Sequence, residues 1–483
     1  MIDMNNFIFS TIAVVLTVIP MNAADIYVSP SGSDKAAGSE QAPLQTLKKA
    51  IESASAGTTI YLREGTYRPS QSEIMRTGAE GVYDCVYNLS KAGKKGSPIV
   101  IAGYPGEKAV IDLSDVKPEA RIMGFYVKSD YWHLKNFEII GIQVTQTGHT
   151  QSINVGLFGG SNCVIENVSM HDGMGIGVYA TRGNNNLVLN CDAYNNYDPV
   201  SENGKGGNCD GFGFHLNKTT FTGNVIRGCR AWRNSDDGFD LINNHTAVVI
   251  ENCWAWENGY DANKVSRGDG TGFKSGGFGM GTVKAGTVAP RNVVRNCIAW
   301  SNKQQGFYAN HDLGGLDFLN NSAFRNKRNF NMVNRKSIEE AVDVDGYDHV
   351  LKNNLAYKST LSGADCVNID TALCTVENNT FLPEMKLSDS DFESLDASQL
   401  LRPRKEDGSL PDITFLRLKE SSKAYDLKIG YQFPYGDESD VDMTIAGEPG
   451  DDADATYYNL QGVAVKNPSG GIYIRNGKKI LIP

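Results

Sequence analysis

The chain has 483 residues, of which 40% are apolar and 21% charged, and its formal net charge is −10. This composition is typical of a globular protein with a large core. The negative charge argues against nucleic acid and against an anionic membrane surface as partners. An anionic substrate would therefore need local basic groups or a bound cation.

The N-terminal segment is predicted to be a signal peptide covering residues 1–23. Its apolar stretch from Phe7 to Ile19 is too short to span a bilayer, and the string MNAA that follows offers a small-residue cleavage site. No Lys or Arg precedes the apolar stretch, so a start codon placed upstream of the true one is the alternative. We expect a secreted, periplasmic or cell-surface protein without membrane-spanning segments.

A repeated pattern follows a short helix predicted over residues 47–54, which would cap the first coil and cover its edge. The pattern is Asn-Cys-x-Ala-aromatic-x-Asn, and its clearest copies begin at Asn190, Gly228, Asn252 and Asn296. Each copy follows a run rich in β-branched residues. Short strands, polar turns and the lack of amphipathic helices predict an all-β chain, folded over residues 24–382 as a right-handed parallel β-helix.

Equivalent residues of neighbouring coils in such a fold stack about 4.8 Å apart. The cysteines of the pattern would then form an interior ladder, and we interpret them as small buried thiols rather than disulfides. We also interpret the Trp and Tyr residues of the pattern as core residues rather than ligand platforms. The four ladder cysteines are Cys191, Cys229, Cys253 and Cys297.

A second element, Gly-Phe followed by a variable residue, comes after many of the copies, as in the strings GFDL and GFKS. Alignment of the coils on this element stacks Asp210 with Asp237. It also places Asp240 beside Lys274 on the outer surface of one sheet, because the phenylalanines point inward. Asp236 directly precedes Asp237, so four carboxylates and one lysine are predicted to converge on one patch.

Four carboxylates at one place repel one another unless a cation compensates their charge. Oxygen ligands of this kind suit Ca²⁺, which accepts six to eight of them in irregular geometry. The absence of a nearby His or Cys cluster argues against Zn²⁺. The alternative is a solvated acidic surface in which Lys274 is an ordinary ion-pair partner of Asp240.

After Leu382 the repeated pattern ends. Residues 383–450 are rich in charged residues and Ser, and we expect an irregular tail that packs on the helix. Residues 451–483 alternate like a short β-hairpin module. This last segment is similar to the short C-terminal segments found on exported Bacteroidetes enzymes.

The strings NCDGFGFH, NSDDGFDL and GDGTGFKSGG, in this order, resemble the core motifs of the family-nine polysaccharide lyases. These are parallel β-helix pectate and rhamnogalacturonan lyases, and the resemblance covers about residues 25 to 430. Carried over to this chain, it implies calcium ligands at Asp210, Asp236, Asp237 and Asp240. It places the catalytic base at Lys274.

The resemblance implies β-elimination in an acidic pectic polysaccharide. A lysine would remove the C5 proton of a galacturonate, Ca²⁺ would neutralise the carboxylate of that sugar, and the product would end in a 4,5-unsaturated galacturonate. Homogalacturonan and rhamnogalacturonan I both present such a sugar. The Bacteroidetes-like tail favours rhamnogalacturonan, and we expect a monomer.

Basic and polar side chains near the predicted patch are candidates for substrate binding, because arginine and lysine can hold a uronate carboxylate. Solvated loop residues are the alternative for each of them. Two insertions that precede Gly-Phe elements supply three candidates, and the next coil supplies two more: Lys205, Lys264, Arg267, Tyr308 and Asn310.

Three other functions fit the sequence less well than a lyase does. A β-helix pectic hydrolase would use paired Asp residues, but the Asn-Thr-Asp, Gly-His-Gly and Arg-Ile-Lys signatures of such enzymes do not occur in the sequence. An epimerase or alginate lyase is disfavoured because the Asp-Pro-His-Asp motif of such epimerases is missing. A non-catalytic, calcium-binding β-helix adhesin would not need Lys274.

Overall fold

The structure is a computed structural model that describes residues 25–281 and 287–433, together with the backbone of four short strands between residues 457 and 482. The predicted signal peptide lies outside the described residues. Among the described residues, no helix is long and apolar enough to cross a membrane.

The chain winds into a right-handed parallel β-helix, as predicted. In each central coil, two short strands join a sheet of 20 strands and a third joins a sheet of 11 strands, counted over the described residues. The strands of the first half are β1 (Ile26–Val28), β2 (Thr59–Leu62), β3 (Gly65–Tyr67), β4 (Arg76–Ala79), β5 (Tyr83–Leu89), β6 (Ile99–Gly103), β7 (Ala109–Asp112), β8 (Arg121–Val127), β9 (Trp132–Ile140), β10 (Ser152–Phe158), β11 (Val164–His171), β12 (Gly175–Arg182), β13 (Leu187–Leu189), β14 (Asp192–Tyr194), β15 (Phe212–Phe214) and β16 (Val225–Arg227).

The second half continues the same winding as far as β33, with one antiparallel pair, β28 and β29, outside the two long sheets. Its strands are β17 (Arg230–Trp232), β18 (Phe239–Asp240), β19 (Val249–Glu251), β20 (Trp254–Trp256), β21 (Phe273–Lys274), β22 (Val293–Arg295), β23 (Ile298–Trp300), β24 (Gln305–Tyr308), β25 (Asp317–Leu319), β26 (Ser322–Phe324), β27 (Arg328–Asn331), β28 (Asn334–Arg335), β29 (Asp343–Val344), β30 (Val350–Lys352), β31 (Leu355–Tyr357), β32 (Cys366–Val367) and β33 (Thr375–Glu377).

The predicted cap is helix α1 (Leu47–Ser53), which begins after Thr46, whose hydroxyl accepts a hydrogen bond from the Lys49 backbone N–H. Its buried side chains pack on the first coil. Shorter 3₁₀ helices occur in loops, at Gln71–Glu73, Ser201–Gly204, Pro383–Met385, Asp389–Asp391 and Ala397–Leu401.

The turn before each cysteine explains the first residue of the repeated pattern. Asn190, Asn252 and Asn296 adopt positive φ angles of 53°, 53° and 52°, and Gly228 takes the same place with 65°. This left-handed conformation is disfavoured for most side chains and tolerated by Asn and Gly. The pattern therefore begins with Asn or Gly because the backbone requires it.

All nine cysteines are free, as predicted for the interior ladder. The ladder thiols also have a polar role that the sequence interpretation lacked. The backbone N–H of Cys191 donates to Sγ of Cys229, and that of Cys229 to Sγ of Cys253, both at 3.4 Å. After Cys297 the same position is taken by Asn321, whose amide oxygen accepts the Cys297 N–H at 3.0 Å. The thiols thus act as weak acceptors between coils.

The aromatic residues of the pattern lie on the outer face of the larger sheet, where Trp232 and Trp256 are buried and Tyr194 and Trp300 are half-buried. The rings of Tyr194 and Trp232 stack at 4.1 Å, and those of Trp232 and Trp256 at 4.7 Å. Residues 383–433 cover much of this row and bury Phe392 and Phe415 against it. The interpretation as core residues is therefore correct only for a second core, between the sheet and the tail.

A buried ion-pair network fastens this covering segment. Asp192 pairs with Arg230 and with Arg404, each at 2.6 Å, and all three side chains are largely shielded from solvent.

Farther along the chain, four antiparallel strands form a separate small sheet, in which the last two make the predicted hairpin. These strands are β34 (Tyr457–Tyr458), β35 (Ala464–Val465), β36 (Gly471–Arg475) and β37 (Lys478–Ile482).

Candidate active site

The Gly-Phe element turns two successive residues inward. A Cβ on Gly238 would lie 3.2 Å from the Cβ of buried Ala255, so this glycine faces the core, and Phe239 is fully buried in the same core. Because both residues point inward, the residues on either side, Asp237 and Asp240, project from the outer surface of the smaller sheet. The same turn in the preceding coil projects Asp210.

Three carboxylates meet at this surface. Asp210, Asp237 and Asp240 each offer an oxygen atom, and these atoms all lie within 4.8 Å of one another. All three residues are buried. Backbone N–H groups orient them: Asp237 donates to Asp210 at 3.1 Å, and Thr271 donates to Asp237 at 2.8 Å.

Lys274 lies beside the three carboxylates, one coil beyond Asp240 in register. Its ammonium nitrogen is 3.0 Å from Asp240 Oδ2 and 3.1 Å from Asp237 Oδ2. The side chain is 20% exposed, so it is largely but not completely shielded from solvent.

The structure places Asp236 differently from the other three. It is half-buried, and its oxygens lie outside the group of three. It is nevertheless close: burial raises the pKa of Asp236 well above its ordinary value, and the charges of Asp237 and Asp210 add to the shift.

The electrostatics of the cluster show an excess of negative charge. Burial raises the pKa of Asp210 well above its ordinary value, and the charges of Asp240 and Asp237 raise it further. Burial alone would lower the pKa of Lys274, but the same two carboxylates and their neighbours raise it well above its usual value. One lysine does not compensate this many carboxylates, so the site favours an additional cation.

The donor set fits Ca²⁺. Three buried carboxylates with fixed orientation, and a fourth nearby in Asp236, supply hard oxygen ligands and leave room for the oxygens of a substrate. One histidine is also present: His215 Nε2 lies 3.6 Å from Asp240 Oδ2. A single imidazole at this distance does not make the nitrogen-rich or sulfur-rich set that Zn²⁺ prefers.

His215 and Tyr179 form a wall beside the cluster that sequence analysis missed. The Tyr179 hydroxyl and His215 Nδ1 are 2.9 Å apart, and His215 Nε2 is buried without a hydrogen-bond partner among the described residues. The signal was available, because His215 stands two residues after Gly213, which is in register with Asp240. Side chains two residues apart on a strand share a face.

The two candidates from the next coil differ in their contacts. Tyr308 is in register with Lys274, and its hydroxyl lies 2.7 Å from His311 Nε2, while His311 Nδ1 lies 2.6 Å from Asp343. Tyr308 therefore borders the cluster with a fixed orientation. Asn310 is buried and donates its side-chain N–H to a backbone oxygen, which is a structural role.

Two of the three basic loop candidates pair with residues other than the clustered carboxylates. Lys264 pairs with Glu257 and lies over the ring of Trp300, on the side of the larger sheet. Arg267 pairs with Asp261 at 2.7 Å and lies over the ring of Tyr197. Lys205 is exposed.

Comparisons with known proteins agree with this arrangement. A family model described as "Pel9A-like, right handed beta helix region" matches residues 26–354. A curated relative, pectate lyase L of Dickeya chrysanthemi, is 35% identical over 403 residues, which is 82% of this chain and 84% of the relative.

Two solved structures are similar over most of the chain. One, described as a rhamnogalacturonan lyase, is 45% identical with a TM-score of 0.81, over 84% of this chain and 99% of the other. The second, pectate lyase Pel9A, is 30% identical with a TM-score of 0.65, over 83% and 90% of the two chains. By its fold, its cluster of carboxylates with a lysine and these similarities, the chain belongs to the Pel9A-like family of right-handed β-helix proteins.

Proposed function

We propose that the protein cleaves a galacturonate-containing pectic backbone by calcium-dependent β-elimination, with Lys274 as the base. Its class, polysaccharide lyase, follows from its family. The observation that carries the proposal is the position of the Lys274 ammonium nitrogen, 3.0 and 3.1 Å from two of three buried, converging carboxylates.

Asp210, Asp237 and Asp240 would hold the calcium ion, with Asp236 as a fourth ligand. When bound, calcium supplies charge neutralisation for the galacturonate carboxylate and so favours loss of the adjacent C5 proton. The backbone N–H groups that bond to these carboxylates keep them oriented for this task. His215 lies beside Asp240, with Nε2 3.6 Å from Oδ2.

Lys274 has the geometry of a general base. A base must be neutral before it accepts a proton, and surrounding carboxylates raise the pKa of Lys274. Lys274 can therefore act as a base only when the negative charge of those carboxylates is compensated. The neutral amine takes the C5 proton, the electron pair of that bond forms the double bond between C4 and C5, the C4–O4 bond breaks, and the leaving O4 takes a proton from water.

Rhamnogalacturonan is the preferred substrate in this proposal, and homogalacturonan is the alternative. The similar structure described as a rhamnogalacturonan lyase is 45% identical to this chain, against 30% for pectate lyase Pel9A. Secretion, with a signal peptide over residues 1–23, and a monomeric state stay predictions.

Substitution of Lys274 tests the proposal. Lys274→Ala should lower kcat on rhamnogalacturonan by about 10² to 10⁴ while calcium binding, measured by titration calorimetry, persists. Lys274→Arg should not restore turnover, because a guanidinium stays protonated. Lys218→Ala, which removes an exposed lysine, is the matched control.

An excess of chelator should abolish formation of unsaturated ends, and added calcium should restore it.

A purely structural role for Lys274 predicts a different outcome. If Lys274 were only an ion-pair partner, its removal would leave turnover near normal. Full activity of Lys274→Ala, or full activity in excess chelator, would therefore refute the proposed mechanism.

A further inference from the structure

The outer face of the smaller sheet carries further side chains in register with the acidic cluster. The residue before the inward-facing glycine or asparagine of each turn projects outward, as Asp237 does before Gly238. Hydrogen bonds and strand register place the equivalent residues of successive coils side by side. Along the helix axis they are Asp210, Asp237, Thr271, Gln305 and Arg328.

Arg328 is the cation in this row. The next two residues, Asn329 and Phe330, are buried in the interior, so the side chain of Arg328 leaves the backbone on the outer face. Its side chain is half-buried, and its Nη1 is 3.5 Å from Gln305 Oε1. No carboxylate among residues 25–281 and 287–433 forms an ion pair with it, whereas Arg267 is paired with Asp261.

The spacing along the axis suits a polymer that lies across the coils. Arg328 stands two coils beyond Lys274, and the coil of Gln305 and Tyr308 lies between them. At about 4.8 Å per coil, the Cα atoms of Lys274 and Arg328 are separated by roughly 10 Å. This separation is comparable with the length of a disaccharide unit.

The strand between those of Lys274 and Arg328 is β24, which presents no charge to the polymer. Gln305 and Tyr308 are the outward side chains of β24, and both are half-buried and uncharged. The hydroxyl of Tyr308 is held by His311, which is paired with Asp343. A uronate beside Tyr308 would meet the carboxylate of Asp343 behind His311, so this part of the surface suits a neutral sugar.

We propose that Arg328 binds the carboxylate of a second uronate, two sugars away from the galacturonate at the acidic cluster, with a neutral sugar between them against Tyr308 and Gln305. The inference rests on the proposed function for the position of the first galacturonate. It makes Arg328 a specificity-determining residue and identifies the substrate class as a polymer in which uronate and neutral sugar alternate.

Binding measurements in a Lys274→Ala background test this inference, because the oligosaccharide then stays uncleaved. For an oligosaccharide of alternating galacturonate and rhamnose with two uronates, Arg328→Gln should raise Kd by about 10- to 100-fold, as expected for loss of a hydrogen bond between charged groups. Arg325→Gln removes an exposed arginine from the same coil and should leave Kd unchanged. The melting temperatures of the two variants report whether either is misfolded.

An oligosaccharide with a single uronate separates recognition from general weakening. It should bind to the Arg328→Gln and Arg325→Gln proteins with the same Kd. The inference is refuted if Arg328→Gln binds the two-uronate oligosaccharide as Arg325→Gln does, or if it loses equal affinity for both oligosaccharides. Failure of the proposed function has another signature, the absence of unsaturated ends after incubation with the unaltered protein.

Discussion

Lys274 is a half-buried and His349 a fully buried titratable side chain, and their surroundings move their pKa values in opposite directions. Carboxylates raise the pKa of Lys274, while burial, together with the charge of Arg291, lowers the pKa of His349 to about 4. The His349 ring accepts the Leu316 N–H at Nδ1 and lies near the Met332 carbonyl at Nε2. These partners select the neutral ring with its proton on Nε2.

This histidine should make stability depend on pH. In the unfolded chain its pKa is about 6.5, so between pH 6.5 and 4 the unfolded state binds a proton that the folded state does not. Its contribution is intact above pH 6.5 and is lost as the pH falls to 4, with a total of about 3 kcal/mol.

Denaturant unfolding of the His349→Gln protein beside the unaltered protein measures this effect. The difference in the free energy of unfolding between the two should be largest above pH 6.5 and should shrink toward pH 4. A difference that stays constant across this range would contradict the neutral, buried state of His349.

The asparagine ladder is the element that joins successive coils in the interior. Asn258 is fully buried, and its amide donates to the Ala231 carbonyl at 3.1 Å and to Asn302 Oδ1 at 2.9 Å. Its own oxygen accepts the backbone N–H of Asn234 at 3.2 Å. Asn258 thus satisfies two buried backbone groups of the preceding coil and bonds to the ladder asparagine of the next coil.

Removal of one ladder residue should therefore be costly. Asn258→Ala leaves several buried polar groups without partners, so we expect a loss of about 3–5 kcal/mol in the free energy of unfolding. The exposed Asn263 is a matched control, and Asn263→Ala should change stability by about 0.5 kcal/mol or less. Equal effects of the two substitutions would refute the importance of the ladder.

The repeated elements also explain which parts of the site were predictable. The pairing of Asp210 with Asp237, and of Asp240 with Lys274, follows from alignment of the Gly-Phe turns, because parallel coils keep side chains in register. Asp236 lies outside that alignment, in an irregular turn where alternation does not set side-chain direction.

The loop candidates show the opposite situation. Lys264 and Arg267 have partners only a few residues away, Glu257 and Asp261. Those pairs depend on the folded shape of an insertion that no repeat constrains. Composition alone therefore identified them as basic residues near the turn and could not identify their partners.

At the scale of the whole molecule, the segment 383–433 connects distant parts of the chain. Arg404 contacts Asp192, which is 212 residues earlier in the sequence, and the same segment buries the row of aromatic rings on the larger sheet. No local pattern links such distant residues, so their contact was not predictable from spacing. The β-helix was predictable because each coil repeats the same local rules.

The central claim, that this molecule eliminates rather than hydrolyses, is tested most directly by the origin of oxygen in its products. Rhamnogalacturonan is digested in water enriched in heavy oxygen, with calcium present, and the oligosaccharides are analysed by mass spectrometry. Elimination predicts unsaturated ends that are lighter by one water molecule than saturated products, with no solvent oxygen gained on cleavage. Saturated products that carry one solvent oxygen per cleavage would contradict the account and identify a hydrolase.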